Sequence, residues 1–157
     1  MTYLDIQHFS FTVSDIERSI AWYTAVLELE LVHRQRQDNA YTRKVVGIDD
    51  AVLEVALFRV PGVPLRRSSH HLELIQYVGY DDRVPLETST VGVAHMAFMV
   101  DDIHARYERL SARGVQFRNP PTAITEGANA GGYACYFADR DGITFELLQP
   151  APSCGSR

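Results

Sequence analysis

Hydrophobic and polar residues alternate with period two over Ile6–Val13. His8, Ser10 and Thr12 fall on one side and Phe9, Phe11 and Val13 on the other, which predicts a strand. At Ser14-Asp15-Ile16-Glu17 the period changes. These four residues read as a capping box, with the Ser hydroxyl and the Glu carboxylate serving opposite amides. Ile16, Ile20, Tyr23 and Leu27 then recur at the spacing of a buried helix stripe. Strand-like runs follow near Leu29–Arg36, Val52–Val60 and His71–Val78. Pro61-Gly62-Val63-Pro64 must be a loop, because two prolines cannot sit in a central ladder. The predicted order is β-α-β-β-β.

The second half repeats it. Val93–Val100 reads as a strand, Asp101 as an N-cap, and Ile103, Tyr107 and Leu110 as a helix stripe ended by Gly114. Strands are expected near Val115–Arg118, Gly132–Phe137 and Thr144–Gln149, the last two joined by a turn at Asp139-Arg140-Asp141-Gly142. The expected fold class is therefore α+β, with two tandem βαβββ modules at residues 1–80 and 92–150. Residues 81–91 read as a linker and 151–157 as a tail.

The repetition extends to chemistry. Ile6-Gln7-His8-Phe9-Ser10-Phe11 returns as Val93-Ala94-His95-Met96-Ala97-Phe98, and Leu72-Glu73-Leu74-Ile75-Gln76 returns as Phe145-Glu146-Leu147-Leu148-Gln149. The His positions lie 87 residues apart and the Glu positions 73 apart, the difference being extra loop in the first half. A Glu flanked by leucines on a central strand is costly to bury unpaired, which supports a ligand role. Two imidazoles and two carboxylates neutralise a divalent ion and leave two positions of an octahedron open, suiting one ion of Ni, Zn, Co, Mn or Fe. His33, His70, His71 and His104 have no repeat partner and read as surface or local structure, although His71 shares a face with Glu73.

Composition narrows the partners. A formal charge of -5 and a pI near 5.6 give no reason to expect nucleic acid or an anionic membrane. No run is long enough to span a bilayer, and a cytoplasmic location is the expectation. Cys135 and Cys154 do not form a disulfide framework, and Cys154 reads as a surface thiol in the tail.

Taken together, the strand His residues, the Val13-Ser14-Asp15-Ile16…Trp22-Tyr23…Val26-Leu27 helix, the Leu-Glu-Leu strand and Tyr136-Phe137…Asp139-Arg140-Asp141-Gly142…Phe145-Glu146 resemble the vicinal oxygen chelate superfamily, the glyoxalase, bleomycin-resistance and extradiol dioxygenase group. The resemblance runs from about Leu4 to Gln149. It implies a curled, incomplete barrel-like sheet around a cleft, with His8, Glu73, His95 and Glu146 at the four ligand positions. Presence of Glu73 is similar to the four-ligand members, glyoxalase I and methylmalonyl-CoA epimerase. Extradiol dioxygenases resemble a three-ligand Fe(II) set and are the redox alternative. A ligand-sequestering resistance protein and a fosfomycin-type thiol transferase are further alternatives.

The implied chemistry is proton transfer next to a carbonyl, through an enediolate or enolate stabilised by the metal, on a small molecule with adjacent oxygens. Glu146 or Glu73 is the expected base. Glyoxalase I typically carries Arg where this chain has Thr12, which weighs against a glutathione substrate. The second acid of the epimerase has Asp50 and Glu54 as its only candidates. Further substrate contacts are expected from Tyr133, which follows a Gly-rich loop suited to a lid, and from Arg66 and Arg67 as an anion clamp. A homodimer is expected, because short modules leave apolar edges.

Overall fold

The computed structural model describes residues 2–152. The chain divides into two compact units, Met1–Arg83 and Val84–Arg157. Cys154, read above as a surface thiol, lies outside the described residues.

Unit 1 runs β1 (Phe9–Thr12), α1 (Ile16–Ala25), β2 (Glu30–Gln37), α2 (Ala40–Val46), β3 (Leu53–Arg59) and β4 (Leu72–Tyr77). Its mixed sheet has the order β1-β4-β3-β2, with β1 parallel to β4 and the other pairs antiparallel. The apolar side of period two faces α1. Leu72, Leu74 and Phe58 are buried with Ile16, Tyr23 and Leu27, and the Tyr23 and Phe58 rings lie 5.9 Å apart. The opposite face carries Glu73, Ile75 and Tyr77 on β4.

Unit 2 repeats the plan with β5 (His95–Met99), α3 (Ile103–Ala112), β6 (Thr122–Ala123), β7 (Tyr133–Ala138) and β8 (Thr144–Gln149), in the order β5-β8-β7-β6. Phe98, Phe145, Phe137 and Phe117 form a run of neighbouring rings 5.4–5.7 Å apart beneath α3. The α+β class and the twofold βαβββ order are thus as the sequence predicts, each module giving one four-stranded mixed sheet.

Four local expectations change. β1 begins at Phe9, so His8 precedes the strand and does not belong to it. The helix caps are Asp15 and Asp102, each one residue later than expected, and their side chains accept from the Arg18 and Ala105 amides at 3.0 Å. The capping box at Ser14 is therefore replaced by an Asp cap. A helix not expected, α2, is capped by Asn39 and closed by Gly47 at φ 73°, and Val46 and Ile48 beside it pack on Ala51, Leu53 and Val55. Finally, Val115–Arg118 contributes one bridge, Phe117 to Phe137, and the edge strand forms at Thr122–Ala123 instead.

The repeated glutamine of the Glu strands has a structural cause. Gln76 Oε1 accepts from the Ile16 amide at 2.9 Å, and Gln149 Oε1 accepts from the Ile103 amide at 2.8 Å. In each unit the last strand thus satisfies a first-turn amide that the helix itself leaves unpaired.

Candidate metal-ligand pairs

The register decides which side chains share the open face of each sheet. In unit 1, Ser10 pairs with Glu73 in parallel register and Leu57 lies opposite Glu73 across the antiparallel ladder. In unit 2, Ala97 pairs with Glu146 and Tyr136 lies opposite it. Both glutamates therefore face away from the helix-covered core, beside the histidine that leads the neighbouring strand.

Each unit closes a His–Glu contact through the same atoms. His8 Nε2 lies 3.2 Å from Glu73 Oε2, and His95 Nε2 lies 3.4 Å from Glu146 Oε2. The glutamates are the more sheltered partners, 18% and 15% exposed against 32% and 44% for the histidines. A charge-assisted hydrogen bond would sit at about 2.7–2.9 Å. Two donors on one ion at about 2.1 Å would stand about 3.0 Å apart at a right angle and about 3.4 Å apart at a tetrahedral angle. Both contacts have the ligand spacing.

The second nitrogen of His8 strengthens the fit. His8 Nδ1 contacts Gln7 Oε1, an atom that can only accept. In the neutral ring Nδ1 then carries the proton, and the Nε2 lone pair faces the Glu73 carboxylate. A proton on Nε2 or a metal ion could each join the two groups, and a metal-bound histidine is oriented by such a bond from its other nitrogen. Neither unit gathers three His, Cys, Asp or Glu side chains into a ready-made cage among the described residues. Each presents a pair.

The surroundings of the pairs differ. In unit 1 the His70 ring stacks on His8 at 5.2 Å and 25°. His70 is not the surface residue expected from sequence: it is buried, with its Nε2 lacking any hydrogen-bond partner. Burial, then the neighbouring His8, pushes its pKa down, against an opposing pull from Glu73. Ser68-Ser69-His70 was the available signal, since a serine two residues earlier can reach back to the histidine backbone.

In unit 2 the Tyr136 ring meets His95 edge-on at 5.4 Å. Its phenol is held above the usual tyrosine pKa by burial first, then by the charge of Glu146 and a hydrogen bond to that carboxylate. Arg118, which sequence reasoning missed, donates from Nη2 to Thr144 Oγ1 at 3.0 Å on the same face.

The remaining candidates are placed as follows. Tyr133, expected as a substrate contact, lies on the helix side, 5.2 Å from the His104 ring. The lid expected before it is pinned. Gly131 and Gly132 donate to the Ile124 and Asn129 carbonyls, and a Cβ on Gly132 would lie 2.3 Å from the Gln149 carbonyl. Thr12 is exposed at the end of β1, paired with Ile75. Arg66 is 83% exposed with its Nη1 3.9 Å from Asp5, and Arg67 is exposed in the same loop. Glu54 faces the opposite side of β3 from Glu73 and pairs with Arg36 at 2.7 Å. Asp50 accepts from the Tyr80 hydroxyl at 2.5 Å. His71 Nδ1 accepts from the Val60 amide at 3.1 Å, a structural role. No helix among the described residues is long and apolar enough to cross a membrane.

Comparison with known proteins bears on the family and the fold. The family model described as Glyoxalase/Bleomycin resistance protein/Dioxygenase superfamily matches residues 5–147. A 2-epi-5-epi-valiolone epimerase from Actinomyces sp is 33% identical over 148 residues, covering 91% of this chain and 78% of that protein. A lactoylglutathione lyase from Pseudomonas putida is 27% identical over 154 residues, covering 92% and 84%. Among solved structures, a glyoxalase family protein from Bacillus cereus superposes with a TM-score of 0.74 at 19% identity, covering 97% of each chain.

Proposed function

The chain belongs to the glyoxalase/bleomycin resistance protein/dioxygenase superfamily, and from that premise we propose that it is a divalent-metal-dependent lyase or isomerase acting on a small molecule with adjacent oxygens. The relatives that carry an epimerase or a lyase name support an enzyme of this kind. The observation that carries the reading is the repeated Nε2–Oε2 contact at ligand spacing, one in each unit. His8 with Glu73, and His95 with Glu146, are the residues that would hold a divalent ion. When bound, it supplies Lewis-acid stabilisation of negative charge developing on a carbonyl oxygen.

The chain's own groups divide the remaining work. Glu146 accepts a hydrogen bond from Tyr136, which anchors it. Glu73 faces Leu57 instead, so no phenol lies across the ladder to hold it. Glu73 is accordingly the group that takes the proton from the carbon beside the carbonyl, and Glu146 stays in place. The bond that His8 Nδ1 donates to Gln7 Oε1 and the edge of Tyr136 on His95 hold the two rings in orientation.

Hydroxyacetone in deuterated water tests the reading. Deuterium exchange at its carbon-bound protons, followed by proton NMR, is expected with metal-loaded protein and lost in Glu73→Gln. Oxygen uptake on a catechol that survives Glu73→Gln would replace this reading with the three-ligand dioxygenase. Binding of the probe with no exchange would leave a sequestering protein.

A further inference from the structure

The hydrogen-bond count around His70 fixes its tautomer. Ser68 has one hydroxyl proton, and Oγ donates it to the His70 carbonyl at 2.7 Å. Oγ must then accept from the other two neighbours, the His70 amide at 3.1 Å and His70 Nδ1 at 3.2 Å. Nδ1 therefore carries the ring proton, and Nε2 presents a lone pair. That lone pair is buried and has no donor. An acceptor left so costs about 1–3 kcal/mol, a cost that a bound partner would remove. Its ring lies flat on His8, next to the Glu73 contact. A third metal ligand would need convergence with that pair, and unit 1 shows no such group of three among its described residues. The complement is then a hydrogen-bond donor, which an O–H on a small molecule supplies.

We propose that His70 is a ligand-binding residue whose Nε2 accepts a hydrogen bond from a hydroxyl of the small molecule bound beside His8 and Glu73. The site then prefers compounds carrying a hydroxyl next to a carbonyl over those with two carbonyls and no O–H. This deepens the function proposed above and rests on it. The Ser68 hydroxyl acts at one remove, by keeping the proton on Nδ1 so that Nε2 stays an acceptor.

Two probes separate the contributions. Hydroxyacetone has a hydroxyl beside its carbonyl, and 2,3-butanedione has adjacent carbonyls without one. Their affinities are measured by ligand-observed NMR on the full chain, with divalent ions counted in the same samples. His70→Phe keeps a flat ring against His8 and removes the acceptor. The preference for hydroxyacetone is expected to fall about tenfold, the worth of one hydrogen bond, with butanedione affinity and ion content unchanged. Ser68→Ala is expected to reduce the same preference severalfold, and it carries the test should His70→Phe fail to fold. Equal weakening of both probes, an unchanged preference, or no preference in the wild type overturns the proposal. Loss of the ion from His70→Phe also overturns it, since His70 would then be a ligand. An ion-free wild type that still shows the His70-dependent preference would remove the metal reading and keep this one.

Discussion

Unit 1 sets Glu73 opposite Leu57 with His70 stacked on the adjoining His8, whereas unit 2 sets Glu146 opposite Tyr136 and brings Arg118 onto the neighbouring Thr144. Beneath these differences the supports are the same: an Asp cap, a Gln from the last strand on the first helical amide, and a His–Glu contact through Nε2 and Oε2. The shared parts are the ones that position the pair. The parts that differ surround the carboxylates, where a neighbouring donor holds one of them in place and leaves the other without such an anchor. A duplicated scaffold can therefore carry one ligand geometry and two chemical roles.

The sharpest way to break this comparison is through the two carboxylates. Glu73→Gln is expected to cut deuterium exchange on hydroxyacetone by about 10²–10⁴-fold, the range of a general base. Glu146→Gln should cost less, and equal losses would remove the asymmetry. Next in size is Gly132→Ala, where the added Cβ would meet the Gln149 carbonyl at 2.3 Å. Urea unfolding should show a loss of about 2–3 kcal/mol.

Alkaline pH, combined with substitution of Cys135, probes unit 2. Burial, with the charge of Glu146 second, raises the Cys135 thiol from 9.0 to about 11. The native state holds a proton there that the unfolded chain releases. This contribution is complete below pH 9 and is lost as pH rises through about 11, a fall of roughly 1–2 kcal/mol. Cys135→Ala should flatten that slope in pH-dependent unfolding.

The helix supports test equivalence. Gln76→Ala and Gln149→Ala should each cost about 1 kcal/mol, and a large difference between them would show that the supports are not the same device. The smallest expected effect concerns the turn leaving each helix. Glu28 occupies φ 62° after α1, while Gly114 takes φ 84° after α3. Glu28→Gly should stabilise by up to about 1 kcal/mol and Gly114→Ala should destabilise by a similar amount, read as shifts in Tm.

The repeat itself was legible in the sequence, because period-two strands and duplicated His and Glu positions survive without any tertiary information. The cap residues were displaced by one, since Ser14 and Asp15 can both cap and the amide reached by Gln76, 60 residues away, is part of what fixes the helix start. Helix α2 is only 7 residues long and rests on packing against Leu53 and Val55, a contact that no local pattern announces. Tyr133, expected to contact substrate, lies on the side of the sheet away from Glu146, whereas Tyr136 shares the face of that glutamate. Cys135 and Phe137 belong to the apolar side, so the parity of Tyr136 matches Glu146. His70 escaped because its burial comes from the tertiary structure, and the Ser68-Ser69-His70 run announces only its local backbone bond.

The central claim is that the two His–Glu pairs are metal-ligand pairs. Mass-spectrometric metal content of chain purified without chelator or affinity tag, beside His8→Ala and His95→Ala, tests it most directly. About one divalent ion per chain in the wild type, lost in both variants, is the predicted result. No ion after reconstitution, or an ion that survives either substitution, would contradict the account.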